Sequence, residues 1–298
     1  MARLVFLGTP DAAVAPLRTL VDAGHDMALV VSRPDKRRGR GAGMVPSPVK
    51  AAALELGLDV TDSLDDVPGV GAELGVVVAY GRIVPTALLD QVPMVNLHFS
   101  LLPRWRGAAP VERAILEGDA ETGVCLMAVE AGLDTGGIYA ESDTVIGDDE
   151  TAEELRARLV IMGCRLLERH LADGVAGLPL ARDQVGQPSY AEKVLPAEYR
   201  IRWEQEAVRI HRVIRLGRAW TTFRGRRLRI LRAVGLPGGP SPGWDRAGPP
   251  GTLDRGTVMA GDGERIRLVA VQPEGKRPMD AGDWLRGSRP ERDERLGV

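Results

Sequence analysis

The chain has 298 residues, 39 Lys and Arg against 41 Asp and Glu, a formal net charge of −2 and 44% hydrophobic residues. That length suggests about two domains with ordinary cores, and the even charge gives no overall basic field to advertise nucleic acid. Cys125 and Cys164 lack metal-ligand spacing, no signal-peptide core precedes the first strand-like run, and no apolar run reaches about 18 residues, so a metal-free, soluble, cytoplasmic protein is expected.

Arg3 to Gly8 reads as a buried strand ending in the turn Gly8-Thr9-Pro10-Asp11. A helical pattern follows to Gly24, then a second strand, Met27 to Ser32. This strand–helix–strand unit predicts an α/β fold with a Rossmann-like, mostly parallel sheet. The first turn lacks G-x-G-x-x-G, which excludes the usual dinucleotide fingerprint. Next comes Arg33 to Lys50, with Arg33, Lys36, Arg37, Arg38 and Arg40 among Gly39, Gly41 and Gly43. On composition alone it is equally a solvated loop or a basic arm that meets phosphate. With little apolar surface to anchor it, the loop from Arg33 to Gly43 is expected to move freely without RNA. A helix should start near Ser47, and Leu74 to Tyr80 is a further strand.

Val95 to Pro110 is the stretch richest in chemistry. Side chains alternate along a strand, so Asn96 and His98 share one face while Val95, Leu97 and Phe99 share the other. In open α/β sheets ligands bind beyond the carboxyl ends of strands. A lone His there is more often a hydrogen-bonded core residue than a catalyst. The company it keeps changes that balance. Gly132-Leu-Asp134-Thr-Gly-Gly137 follows another strand, Gly123 to Val129, and puts Asp134 in a glycine-bracketed loop. On neighbouring strand ends, the amide of Asn96 can donate to an oxyanion, the imidazole of His98 can accept a proton, and the carboxylate of Asp134 can orient the imidazole and fix its tautomer. Ser100 lacks the G-x-S-x-G setting of a nucleophile.

Gly137 to Ile146 reads as an antiparallel edge strand. Thr151 reads as the N-cap of a helix running to about Asp173, with Glu153 and Glu154 in its first turn. Gly174 to Pro196 is irregular. The division expected is residues 1–189 as one domain, 190–203 as a linker and 204–298 as a second domain. From Glu204 to Gly217 a helix carries Ala207, Ile210, Val213 and Ile214 on one face, and Arg209, Arg212 and Arg215 recur every third residue on another. Between Arg200 and Arg232 there are eleven Arg against Glu204 and Glu206. Strand-like runs at Arg226–Val234, Gly251–Ala260 and Arg265–Val271 suggest a small OB-like β-barrel. Residues 235–250 read as a long surface loop.

These motifs closely resemble the formyltransferases that use 10-formyltetrahydrofolate, and within them the branch acting on methionyl-tRNA. The resemblance rests on Asn96-x-His98-x-Ser-Leu-Leu-Pro-Arg-x-Arg-Gly-Ala-Ala-Pro110 and Gly132-Leu-Asp134-Thr-Gly. It extends to Phe6-Leu-Gly-Thr-Pro-Asp11, Gly39-Arg40-Gly41, Pro46-Ser-Pro-Val-Lys50, Val78-Ala-Tyr-Gly81, Tyr190-Ala-Glu-Lys193 and Gln272-Pro-x-Gly-Lys276, in the family's order. The resemblance implies transfer of a formyl group from 10-formyltetrahydrofolate to the α-amine of methionine on initiator tRNA. It implies Asn96, His98 and Asp134 as catalytic residues and Ser100, Leu101, Leu102 and Pro103 as folate-binding. It also implies a cis bond at Leu102–Pro103, in a sharp strand-to-helix turn where cis-prolines are found. Arg38 and Arg40 would meet the tRNA acceptor end, and Arg209, Arg212 and Arg215 its phosphates. The expected partners are the folate and initiator methionyl-tRNA, with no membrane and the chain a monomer. A small amine acceptor (glycinamide ribonucleotide or an amino-sugar nucleotide) and a non-catalytic folate- or RNA-binding module are the alternatives. Two departures from the family pattern stand at Arg202, where an acidic residue is usual, and at Trp220, which lacks its flanking prolines.

Overall fold

The computed structural model describes residues 1–37, 43–236, 248–291 and 294–298. The chain divides into two compact units. One comprises Met1–Val111, Glu121–Val145 and Arg156–Glu192, and the other Glu112–Ala120, Ile146–Leu155 and Lys193–Val298.

The first unit is built on a seven-stranded sheet. From edge to edge its strands are Ile138–Val145, Glu121–Ala128, Met94–His98, Leu74–Val78, Arg3–Gly8, Asp26–Val31 and Val60–Thr61. The last five of these pair in parallel, and the first two are antiparallel. Strands buried on both faces read as continuous apolar runs. Leu-Gly-Val-Val-Val (residues 74–78) is such a run, and every residue of it is buried.

The pairing register decides which side chains meet. Val31, Leu7, Val77, Asn96 and Met127 form one row across the sheet. Leu7, Val31 and Val77 belong to an apolar cluster with Tyr80, Val84, Leu88 and Met94. Met127 belongs to another, with Leu102, Cys125 and Ile138. Asn96 and His98 are thus a polar notch between two apolar clusters on one face. Leu97 points the other way, toward the long helix Ala152–Leu171. A Cβ added at Gly163 of that helix would lie 3.1 Å from Leu97 and 3.5 Å from Val124, so glycine lets the helix seat closely on the sheet.

Helix starts follow local capping chemistry. The Ser47 hydroxyl accepts from the Lys50 amide at 3.0 Å, with Pro48 at the first helical position. Thr151 and Glu154 form a reciprocal capping box. The Thr151 hydroxyl accepts from the Glu154 amide at 3.2 Å, and the Glu154 carboxylate accepts from the Thr151 amide at 2.8 Å. Those bonds also hold the Glu154 carboxyl below its ordinary range.

The basic stretch after Ser32 is anchored at its base, while the free movement expected of residues 33–43 falls in part on residues outside those described. Lys36–Arg37 pairs antiparallel with Met44–Val45. Lys50 Nζ lies 2.8 Å from Asp35, and the Ser32 and Ser47 hydroxyls are 2.6 Å apart. Arg38 and Arg40 lie outside the described residues.

The second unit carries an antiparallel sheet ordered Trp220–Phe223, Arg226–Leu236, Arg265–Pro273, Thr257–Met259 and Leu253–Asp254, with Met279–Asp280 also on the long central strand. Two register shifts near Arg232 bend it, as bulges do, and the sheet fits a small barrel-like domain. Its core includes Trp203, Ile210, Ile214, Leu228, Ile230 and Trp284. Helix Ala207–Arg215 corrects one expectation. Arg209 is exposed, Arg212 is half-buried, and Arg215 is buried at 8% exposure. An α-helix turns about 100° per residue, so a three-residue spacing drifts by about 60° per step and brings Arg215 round to the packed side. Its guanidinium donates to the carbonyls of Glu150 and Gly147, both at 2.7 Å. His211 is buried beside it, 3.0 Å from the Ala233 carbonyl and 3.1 Å from Asp149. Among the described residues no helix is long and apolar enough to cross a membrane.

Candidate active site

Strand Met94–His98 delivers Asn96 half-buried and His98 buried, two residues apart on one face. Strand Glu121–Ala128 runs antiparallel beside it, with His98 opposite Cys125 and Asn96 opposite Met127. The loop that follows therefore leaves from the opposite end of the His98 strand, with Val129 bonded to the Met94 carbonyl. It is not a neighbouring strand end, as the sequence suggests. The loop doubles back over the face, and Asp134 Oδ2 comes within 3.5 Å of His98 Nδ1. Asp134 reaches there in the left-handed backbone region, at φ 50°. A non-glycine residue takes that region at a cost of roughly 1–2 kcal/mol.

Backbone groups complete the site, and these no side-chain motif announces. His98 Nε2 lies 2.8 Å from the Trp105 carbonyl. A carbonyl only accepts, so Nε2 carries a proton, and in the neutral imidazole Nδ1, facing Asp134, presents the lone pair. The tautomer is thus set by Trp105, where the sequence suggests Asp134. The Asp134 carboxylate is itself held by the Gly107 amide at 2.7 Å. Gly107 adopts φ 121°, and a Cβ there would lie 3.0 Å from the Ala191 carbonyl, so only glycine fits this crossing.

Ala191 belongs to a segment that sequence reading places at the start of a linker. Tyr190–Ala191 instead pairs in parallel with Arg106–Gly107, and the Ser189 hydroxyl accepts from the Trp105 amide at 2.9 Å. Cys125, opposite His98, is pushed up to about 12 by burial, so it stays a neutral thiol and does not compete as a nucleophile.

The turn after His98 contains a cis Leu102–Pro103 bond. Ser100 is fully buried, and its hydroxyl donates to the Arg104 carbonyl at 2.6 Å, closing this turn. The hydroxyl thus holds in shape the turn that carries the residues expected to bind folate. Leu101 and Leu102, with Ile138 and Val185, line a cleft of about 480 Å3 rimmed by Glu121, Glu141, Asp143, Arg182 and Asp183. Pro103 is half-buried in the same turn. Among the described residues no group of three or more His, Cys, Asp or Glu is assembled that could hold a metal ion.

A buried base with a fixed tautomer, a carboxylate beside its free nitrogen and an amide on the same face suit proton transfer at a carbonyl that gains charge. Comparisons with known proteins identify the family. Residues 2–171 match the family described as formyl transferase, and residues 193–289 match formyl transferase, C-terminal domain. The chain is 42% identical over 302 residues to the methionyl-tRNA formyltransferase of Roseobacter denitrificans, covering 96% of each. It is 39% identical over 312 residues to that of Solibacter usitatus, covering 99% of this chain and 98% of that one. Among solved structures it resembles the N-formyltransferase from Helicobacter canadensis, in complex with folinic acid and dTDP-3-aminofucose. The TM-score is 0.70 at 19% identity, over 92% of this chain and 100% of that one. At that identity the likeness is one of fold.

Proposed function

The chain belongs to the formyl transferase family, and from that premise we propose that it transfers the formyl group of 10-formyltetrahydrofolate to the α-amine of methionine on initiator methionyl-tRNA, in the cytoplasm, for translation initiation. The observation that carries this reading is the identity of about 40% to methionyl-tRNA formyltransferases along nearly the whole of both chains, second unit included.

Formyl transfer to an amine is an acyl transfer. Negative charge builds on the formyl oxygen, the attacking amine must lose a proton, and the leaving nitrogen must gain one. Asn96 donates to the developing oxyanion. Nδ1 of His98 takes the amine's proton, directly or through a water. Because Nε2 is already committed to Trp105, the proton can arrive only at Nδ1, beside the Asp134 carboxylate, which steadies the imidazolium until the leaving nitrogen takes the proton. No covalent bond to the protein is needed.

Arg40 and Arg38 serve the acceptor end of the tRNA. On the second unit, phosphate contact falls to the exposed arginines. Arg209 is one, and Arg212, half-buried, contributes at its edge. Arg200 and Arg227 are others, their guanidinium carbons 5.6 and 4.5 Å from the Trp220 ring. Buried Arg215 does not take part. The test is a formylation assay with charged initiator tRNA and 10-formyltetrahydrofolate, with glycinamide ribonucleotide and an amino-sugar nucleotide as competing acceptors. Formyl-methionyl-tRNA is the expected product, and preferential formylation of either small amine overturns the reading.

A further inference from the structure

We propose that Gln184 is a positioning residue that sets the distance between Asp134 and His98. This inference rests on the formyl-transfer reading only for its kinetic consequences, since the geometry stands by itself. Gln184 lies in an exposed strap. Ala181, Arg182, Asp183 and Val185 are all exposed, and Gln184 alone among them turns inward. The strap is tied at one end by two bonds between Ile138 and Arg182, at 2.8 and 2.9 Å, and at the other by the Ser189–Ala191 pairing with Arg106–Gly107.

Between those ties the Gln184 amide uses its whole hydrogen-bonding capacity on the site. Its Nε2 donates to the Asp134 carbonyl at 2.8 Å and to the Gly136 carbonyl at 2.9 Å. Its Oε1 accepts from Arg106 Nε at 3.1 Å and Nη2 at 2.7 Å. The two pairs of partners fix the orientation of the amide, because a flipped one would face two carbonyls with oxygen and a guanidinium with NH2. One end therefore grips the backbone of Asp134 itself, held at φ 50°. The other grips Arg106, whose neighbour Gly107 donates to the Asp134 carboxylate at 2.7 Å. Gln184 thus holds the Asp134 backbone directly and, through the Arg106 side chain, braces the segment whose next residue holds the carboxylate.

Two variants separate positioning from packing. Gln184→Ala removes all four bonds. Gln184→Glu keeps the size and the two Arg106 bonds but sets a carboxylate against the Asp134 and Gly136 carbonyls. If Gln184 positions Asp134, both variants lower kcat by about 10- to 100-fold, the scale of a small misplacement of a catalytic group, with KM for folate and tRNA little changed. If it merely fills space, Gln184→Glu keeps wild-type kcat, and that result overturns the proposal. Combination with Asp134→Asn is the second arm. The double variant should be no slower than Asp134→Asn alone, since the effect acts through Asp134. Independent multiplication of the two losses overturns it. Amide hydrogen exchange at Gly107 and across Asp134–Gly137 needs no substrate. It should quicken in both variants, and unchanged exchange also overturns the proposal. A wild-type protein that fails to formylate methionyl-tRNA would overturn the functional reading while leaving this exchange test intact.

Discussion

Replacing Arg215 by alanine distinguishes a structural arginine from an RNA-binding one, and the structure gives the expected size of the effect. The guanidinium makes two charge-assisted bonds of 2.7 Å, to the Glu150 and Gly147 carbonyls, from a residue only 8% exposed. Burial pulls its pKa down, opposed by the nearby carboxylates of Glu150, Asp148 and Asp149. Bonds to a charged group contribute about 1.5–3 kcal/mol each. Gly147 is exposed and Glu150 half-buried, so water can replace part of what is lost. The expected loss is therefore near the low end of the sum, about 3 kcal/mol. For a domain of this size that lowers Tm by about 6–12 °C. If Arg215 touched a phosphate instead, its removal would flatten the dependence of log K on log salt by about 0.7–0.9. Thermal unfolding and titration of labelled tRNA across a salt series read the two quantities separately. Arg227→Ala serves as the converse control, expected to flatten the slope with Tm nearly unchanged. An Arg215→Ala protein of wild-type Tm, with the slope reduced by one contact, would refute the assignment.

Four further outcomes are expected. His98→Ala should lower kcat by about 10²- to 10⁴-fold, the contribution of a positioned base, and Asn96→Ala by about 10²- to 10³-fold, that of one oxyanion donor. Folate binding should persist in both, and near-normal turnover in either would show its role misassigned. Arg40→Ala should reduce kcat/KM for methionyl-tRNA and leave folate affinity unchanged, and unchanged kcat/KM would return that stretch to a solvated surface loop. Burial, first among the causes, holds the His211 pKa below its ordinary value of about 6.5, against the pull of the Ala233 carbonyl and Asp149 and with the help of Arg215. The unfolded chain then binds the proton first. Stability should be full above about pH 6.5, fall as pH drops below it, and level off beneath the folded-state pKa. His211→Asn should make this acid-side decline shallower in pH-dependent unfolding, although His25 and His170, also lowered by burial, keep part of it. Gly163→Val should destabilise by about 1–3 kcal/mol through overpacking against Leu97, measured by denaturant unfolding.

What was legible in the sequence was what local chemistry decides. Ser47-Pro48 and Thr151 with Glu154 announce helix starts because a cap is satisfied within four residues. The apolar runs at residues 3–8 and 74–78 announce buried strands for the same local reason. The direction of Glu121–Ala128 was not legible, since antiparallel pairing with the His98 strand is a non-local choice that leaves the strand's own pattern unchanged. The same limit explains Arg215. A spacing of three looks like a stripe in a written sequence, but on a helix it drifts, and only the Gly147–Glu150 loop decides which arginine is taken inward.

The site divides along a similar line. Asn96, His98 and Asp134 are visible because an amide, an imidazole and a carboxylate are side chains whose chemistry can be read from the letter alone. The groups that orient them are mostly backbone, and a backbone carbonyl or amide has no letter of its own. Trp105 sets the His98 tautomer through its carbonyl, so the indole is incidental to that bond. What the position needs is a chain able to turn at φ 64° while its amide is held by Ser189. Gly107 is the one backbone contributor with a sequence signal, because only glycine passes the Ala191 carbonyl at φ 121°. The Gly in Arg106-Gly107-Ala-Ala is therefore the mark of a donor to Asp134, readable only once the strand that crosses it is known. That crossing strand brings Gln184 to the site from fifty residues beyond Asp134. In the sequence Gln184 stands among exposed residues with nothing to set it apart. Its significance comes from filling four bonds at once, a property of the fold that no pattern in its own segment encodes.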